Sequence, residues 1–292
     1  MTDYTVTSLN LSNQNLTVLP DLSLYTKLKT LYCQNNKLTS LDNLPSTLQY
    51  VDCFQNQIIS LNNLPSTLKT LNCSNNQIVS LDHIPSNLQK LYCGGNQIAS
   101  LGFRGSDNDR LETAFGTSLP PNLQELDCGD NQLTSLNNLP STLQYLNCSN
   151  NQIVSLNNLP PNLQKLYCSH NQLTSLDNLP LNLQILYCYN NQLTSLDHLP
   201  QNLQILHCYT NQLSLDHLPQ NIQVLYCDKK QITSLSNLPL SLQLYESFPN
   251  QTEQWSSNTS LENLPLSIQK YTHKYMTKRN ELSSTVQDRT NL

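Results

Sequence analysis

The chain has 292 residues, enough for one or two domains with a sizeable core. Only 12% of it is charged, against roughly 25% in an ordinary globular domain, and leucine is about one residue in five, so a short pattern is being copied. A net charge of -5 speaks against a general nucleic-acid or anionic-membrane binder, and no apolar run approaches the roughly 18 residues of a transmembrane helix.

Taken in chain order, the N-terminal Met-Thr-Asp-Tyr-Thr has no basic region followed by an apolar stretch, so no signal peptide is expected. A divergent first unit or cap occupies 1–27. From Leu28 the chain falls into rows of twenty with the template L-x-x-L-x-C-x-x-N-Q-L-x-S-L-D-N-L-P-x-x. Rows begin at Leu28, Leu48, Leu68 and Leu88, and again at Leu123, Leu143, Leu163, Leu183, Leu203 and Ile222, with a degenerate one at Leu242. A fixed period with L-x-x-L-x-L/C-x-x-N-x-L is the leucine-rich repeat signature. The expected fold is therefore an α/β-class solenoid over 28–247. It has a parallel β-sheet on the concave side, extended or polyproline-like turns on the convex side and little helix, because twenty residues cannot hold a strand, two turns and a full helix.

Each column has a role. In L-x-x-L-x-C the apolar residues alternate around a short strand, and stacking buries what one row cannot. The Asn column (Asn36, Asn56, Asn76, Asn96, Asn131, Asn151, Asn171, Asn191, Asn211) falls where the chain turns inward, and a carboxamide supplies both donors and acceptors to stranded main-chain groups. Lys230 and Gln14 take this column near the two ends. The Pro column, Pro45 to Pro239, fixes φ on the return path. The ten cysteines share one core column, Cys33 to Cys227, so buried thiols are expected ahead of disulfides or a metal; no C-x-x-C pair exists. Free thiols point to a reducing, cytoplasmic compartment.

Departures from the template mark candidate sites. The spacing from Leu88 to Leu123 is 35 rather than 20, an insertion carried by 102–118 with Phe103 and Arg104. It reads as a tolerated surface loop or a contact loop. Asp107, Asp109 and Glu112 lack the glycine-containing loop of a calcium site. The Leu203 row loses one residue at Leu213-Ser214-Leu215, a local change in the convex turn. Residues 248–292 read as a degenerate last repeat, a cap and a tail. There Ile268, Tyr271, Tyr275 and Met276 recur at helical spacing among Lys270, Lys274, Lys278 and Arg279, as a capping helix or a basic contact.

On the concave face, the Gln column (Gln49, Gln89, Gln124, Gln144, Gln164, Gln184, Gln204, Gln223) is expected to form an amide ladder. Tyr167, Ile185, Tyr187, Tyr189, Ile205, His207, Tyr209, Val224 and Tyr226 gather into one exposed aromatic-aliphatic patch over the last four regular rows. Such a patch serves either as a partner contact or as cross-strand stacking that stabilises the sheet. The other half presents Asp52, Asn72, Asp127 and Asn147. No catalytic constellation emerges: His83, His198 and His217 follow from copying the row, no metal or phosphate motif exists, and no cofactor is expected.

At these columns, over about Leu28 to Leu242, the sequence resembles the short bacterial leucine-rich repeat, L-P-x-x-L-x-x-L-x-V-x-x-N-x-L, of YopM-like and IpaH-like effectors of enteric pathogens. It is also similar to Cys- and Asn-rich repeat proteins of giant DNA viruses. The resemblance implies a non-enzymatic solenoid binding a partner protein in a host or microbial cytoplasm. The chain departs in having Cys where Val or Ile is common. No Cys follows Cys227, so the ligase activity of one branch of that family is not expected here. A structural or self-associating component, for example one packaged in a virion, is the alternative.

Overall fold

The structure is a computed structural model that describes residues 4–101, 119–213, 215, 218–228, 231 and 238–248, with the chain path alone for 244–248. Among the described residues twelve strands form one parallel sheet in sequence order. They are β1 (Ser8–Asn10), β2 (Thr30–Tyr32), β3 (Tyr50–Asp52), β4 (Thr70–Asn72), β5 (Lys90–Tyr92) and β6 (Glu125–Asp127). The remaining six are β7 (Tyr145–Asn147), β8 (Lys165–Tyr167), β9 (Ile185–Tyr187), β10 (Ile205–His207), β11 (Val224–Asp228) and β12 (Leu244–Phe248). Among the described residues there is no α-helix, so none is long and apolar enough to cross a membrane.

Strands β2 to β10 have only three residues because the chain bends on both sides of each. Behind every strand a residue adopts positive φ, between 50° and 58° at Asn35, Gln55, Asn75, Asp130, Asn150, His170, Asn190 and Thr210. A second set with positive φ, Asn43, Asn63, His83, Asn138, Asn158 and Asn178, follows the Ser-Leu pair. Asn and Asp tolerate this left-handed conformation better than most residues, which explains the composition of both columns. Gly95 takes the first position in its row with φ +66°, and a Cβ there would lie 2.0 Å from Asn75 Oδ1. Each proline then closes the return path. The Pro45 carbonyl accepts a hydrogen bond from Leu48 N at 3.2 Å, and Pro65, Pro85, Pro140, Pro160, Pro180 and Pro200 do the same for the leucine three residues on.

Inside, Leu31, Leu71, Leu126, Leu146, Leu166 and Leu206 have no exposed surface, and all ten cysteines are buried with no disulfide between them. Burial pushes the Cys33 and Cys73 thiols up to about 12. The Asn column stitches the rows together. Asn171 accepts from Ile153 N at 2.9 Å and donates to Cys148 O at 3.0 Å and Cys168 O at 3.2 Å. Asn36, Asn56, Asn76, Asn96, Asn131, Asn151, Asn191 and Asn211 repeat the pattern.

The stack runs unbroken past the insertion. Lys90, Leu91 and Tyr92 pair with Glu125, Leu126 and Asp127, and Cys93 N donates to Asp127 O at 2.7 Å. The insertion itself, with Phe103 and Arg104, lies outside the described residues, as do Ser214, His217 and the expected C-terminal helix.

The two ends differ from the middle. In the first row Val6, Leu9, Leu11, Leu16 and Leu19 are only half-buried against the core. Near the other end Lys230, in the Asn column, lies outside the described residues, and the next residue does the work. Gln231 has no exposed surface; its carboxamide accepts from Asp228 N at 2.8 Å and donates to Cys208 O at 3.3 Å. With a longer side chain reaching back from one position later, β11 runs two residues further than its predecessors. It stays paired with β12 through Asp228 and Phe248.

Candidate functional site

Within β2 to β10 the central leucine, or Val51 in β3, points inward and its two neighbours outward, as the half-buried, buried, half-buried pattern of β9 and β10 shows. Parallel in-register pairing then places equivalent outward residues side by side. Tyr167 pairs with Tyr187, Tyr187 with His207, and His207 with Tyr226. Ring centroids step 4.7 Å, 3.9 Å and 4.2 Å along this line. Tyr187 and His207 are stacked, with 8° between their planes. One residue beyond Cys188 and Cys208, Tyr189 and Tyr209 stack at 4.5 Å and 11°. Ile185, Ile205 and Val224 form an aliphatic row at the near end of the same strands. All nine described residues expected in the patch are thus brought together, and all are half-buried.

Two members escape a column-by-column reading. Tyr145 pairs in register with Lys165, yet its ring lies 5.4 Å from that of Tyr167, one strand over and two residues along. Such diagonal contacts are within reach of aromatic side chains. His170 sits at the left-handed turn, and its ring meets Tyr189 edge-on at 5.2 Å. The signal was a large ring in the row before the patch for Tyr145, and a ring at the turn of the first patch row for His170.

Burial in this stack lowers the pKa of His207 from its ordinary 6.5 to about 4. The folded state therefore favours the neutral ring, while the unfolded chain takes up a proton near 6.5. Stability from this residue is complete above about pH 6.5 and falls as the pH drops toward 4. A His207→Phe variant is expected to flatten that part of the stability-against-pH curve. A native ring titrating near 6.5 by NMR would contradict the burial.

The other half of the concave face is chemically distinct. Asp52, Asn72, Asp127 and Asn147 each accept a hydrogen bond from the main-chain N–H two residues on: Phe54, Ser74, Gly129 and Ser149, at 3.1 to 3.2 Å. Asn147 also donates to Asp127 Oδ1 at 3.1 Å. Burial raises the carboxyl pKa of Asp52 and of Asp127. Lys90 pairs with Glu125 at 2.8 Å, and Glu125 also accepts from the Tyr92 hydroxyl. These side chains are largely engaged in shaping their own turns and strands.

The Gln column departs from expectation. Its ladder is main-chain: Gln144 N to Gln124 O, Gln164 N to Gln144 O and Gln184 N to Gln164 O, each 2.8 Å. No glutamine side chain of this column bonds the next among the described residues. Most of these amides are exposed, so water satisfies them without the entropy loss of fixing long side chains. Gln184, Gln204 and Gln223 instead line a polar groove of about 320 Å³ with Asn202, Asn221 and Ser241.

His83 lies exposed at a left-handed turn, and the Asp82 and Asp197 main-chain N–H groups bond Ser80 and Ser195 Oγ at 3.1 Å. Among the described residues no three of His, Cys, Asp and Glu converge on a point where a metal could sit.

A family model of leucine-rich repeats in two copies matches 121–161 and 161–201, and a single-repeat model matches 67–91. YopM from Yersinia enterocolitica WA-314 is 32% identical, with a TM-score of 0.66. That match covers 82% of this chain and 51% of the other, so this chain spans about half its length. YopM from Yersinia pestis, a leucine-rich effector protein, is 26% identical over 84% of this chain and 78% of that one, with a TM-score of 0.63. A chain of the octameric complex of Latrophilin 3, Unc5D and FLRT2 (LRR) shares the fold at 20% identity, covering 86% and 83%, with a TM-score of 0.65. No curated protein matches the chain by sequence. The fold is a typical scaffold for protein–protein interaction, and proteins built on it are generally non-enzymatic. The repeat columns, the helix-free parallel solenoid and these matches together make this chain a leucine-rich repeat protein with short, YopM-like repeats.

Proposed function

We propose that this protein is a non-enzymatic binding module that holds a partner protein on its concave face. The observation that carries the reading is the pair of ring ladders, Tyr167-Tyr187-His207-Tyr226 and Tyr189-Tyr209, beside the aliphatic row Ile185, Ile205 and Val224. Contiguous half-exposed apolar surface of this kind marks interaction sites, and tyrosine is enriched where binding energy concentrates. The rings are already fixed by stacking, so a partner loses little entropy in engaging them. The 102–118 loop, with Phe103 and Arg104, adds a lateral contact in this reading. The likeness to YopM supports a host-directed role, and ten cysteines without a disulfide support a reducing, cytoplasmic setting.

Affinity capture from host lysate, run beside a Tyr187→Ala/Tyr209→Ala variant, tests the reading. The parent should enrich a protein that the variant holds more weakly by about 2 kcal/mol, roughly thirtyfold. Equal enrichment by both would move the site off the aromatic patch.

A second reading, self-association, is favoured by the half-buried first row, whose Val6, Leu9 and Leu11 leave apolar surface beside the outer edge of β1. Light scattering that grows with protein concentration would support it, and a monomer at all concentrations would dismiss it.

A further inference from the structure

The column of buried thiols is the largest chemically distinctive feature that partner binding leaves unused. Ten cysteines lie in one core column with no disulfide. Three thiols share one orientation: Cys53, Cys93 and Cys128 each donate S–H to a carbonyl of the next row, Asn72, Asp127 and Asn147, at 3.2 to 3.3 Å, whereas Cys208 points to Gln231 Oε1 at 4.0 Å. Each of those carbonyls belongs to the residue just before the next thiol. Equivalent atoms repeated with one orientation are separated by the strand spacing, about 4.8 Å. Two metal–thiolate bonds of about 2.3 Å laid end to end span about 4.6 Å. A two-coordinate cation between neighbouring thiols thus needs almost no movement of the sheet.

We infer that neighbouring thiols of this column form two-sulfur sites for a soft, linearly coordinated divalent cation, entered at the pair Cys33 and Cys53. Binding breaks two S–H bonds and forms two sulfur–metal bonds, releases two protons and changes no oxidation state. The product is uncharged, so it suits an apolar core that would strongly disfavour a buried ion. Soft thiolate ligands select soft cations. Zinc requires four ligands in a tetrahedron, and a straight ladder offers two in line per gap.

The entry point follows from packing. Cys33 is covered on its outer side by the first row, whose Val6, Leu9, Leu11 and Leu16 are only half-buried. In the described middle of the stack, from Cys53 to Cys188, the flanking leucines such as Leu71, Leu126 and Leu166 have no exposed surface. Opening one loosely packed terminal row costs less than opening the middle of the stack. The thiols are also held protonated by burial, which pushes Cys33 up to about 12, so uptake must displace protons and weakens as the pH falls.

The test titrates the full chain with mercuric chloride, and in parallel with zinc chloride, under reducing-agent-free anaerobic conditions. The readouts are sulfur-to-metal charge-transfer absorption, protons released, sulfur ligands per metal by X-ray absorption, and the circular dichroism of the sheet. Expected are two sulfurs and two protons per mercuric ion with the sheet retained, and no comparable uptake of zinc. Cys33→Val/Cys53→Val should slow the first uptake at least tenfold, whereas Cys188→Val/Cys208→Val should leave it unchanged. The inference is overturned by uptake that accompanies loss of the sheet signal, by one sulfur per ion, by equal uptake of zinc, or by an unchanged rate in the Cys33/Cys53 variant.

Discussion

Replacing Asn171 by alanine is expected to lower the unfolding free energy by about 3 kcal/mol or more. Its carboxamide is buried and holds four main-chain groups: Ile153 N, Cys148 O, Cys168 O and Ser169 O. Alanine leaves a donor and several acceptors without partners at a place too enclosed for water to replace them fully. A stranded buried polar group costs about 1–3 kcal/mol, and Ile153 N and Cys148 O are stranded together in the preceding row. The loss therefore falls between rows as well as within one. Denaturant unfolding followed by circular dichroism measures it. Gln172→Ala, one residue on and exposed, is the control and should change stability by less than about 0.5 kcal/mol. Similar losses for the two variants would show that the Asn column is not what couples the rows.

The second large effect is expected at Leu166→Ala, about 2–5 kcal/mol. Leu166 has no exposed surface and sits at the centre of β8, packed between Leu146 and Leu186 on the adjoining strands. The cavity cannot close by local collapse, because the rows on both sides are held at fixed spacing by main-chain pairing. The equivalent residue of the first row gives the contrast. Leu9 pairs with Leu31 but is only half-buried, so Leu9→Ala should cost about half as much or less. Solenoid stability is approximately a sum of row and interface contributions, so this gradient reads directly how well the end of the stack is closed. Equal losses at Leu9 and Leu166 would mean that the first row packs as tightly as the middle.

The regular part of the fold was legible because each row repeats one solution to one problem. Leu-x-x-Leu-x-Cys says which side chains face inward, and Asn in a fixed place says where the chain bends. The Gln column was misjudged for a related reason. A repeated amide looks like a ladder whether or not its side chains bond, and only exposure to water decides. The candidate surface was legible as columns, since in-register parallel pairing maps a column onto a line of neighbours. Tyr145 and His170 were missed because one joins the patch diagonally and the other from a turn.

The sequence by itself determined the period, the parallel stacking, the inward face and the identity of the residues that satisfy the bends, because these depend on patterns internal to one row. The tertiary structure decided what depends on relations between rows. It showed that β5 and β6 pair directly across the insertion. It showed that Gln231 stabilises the bend near the end, and that the first row is only half-closed. It also set which rings stack face to face, Tyr187 on His207 and Tyr189 on Tyr209. Those outcomes rest on distances and orientations between side chains on different strands, and a one-dimensional pattern specifies neighbours along a column without fixing how their rings and amides turn toward one another.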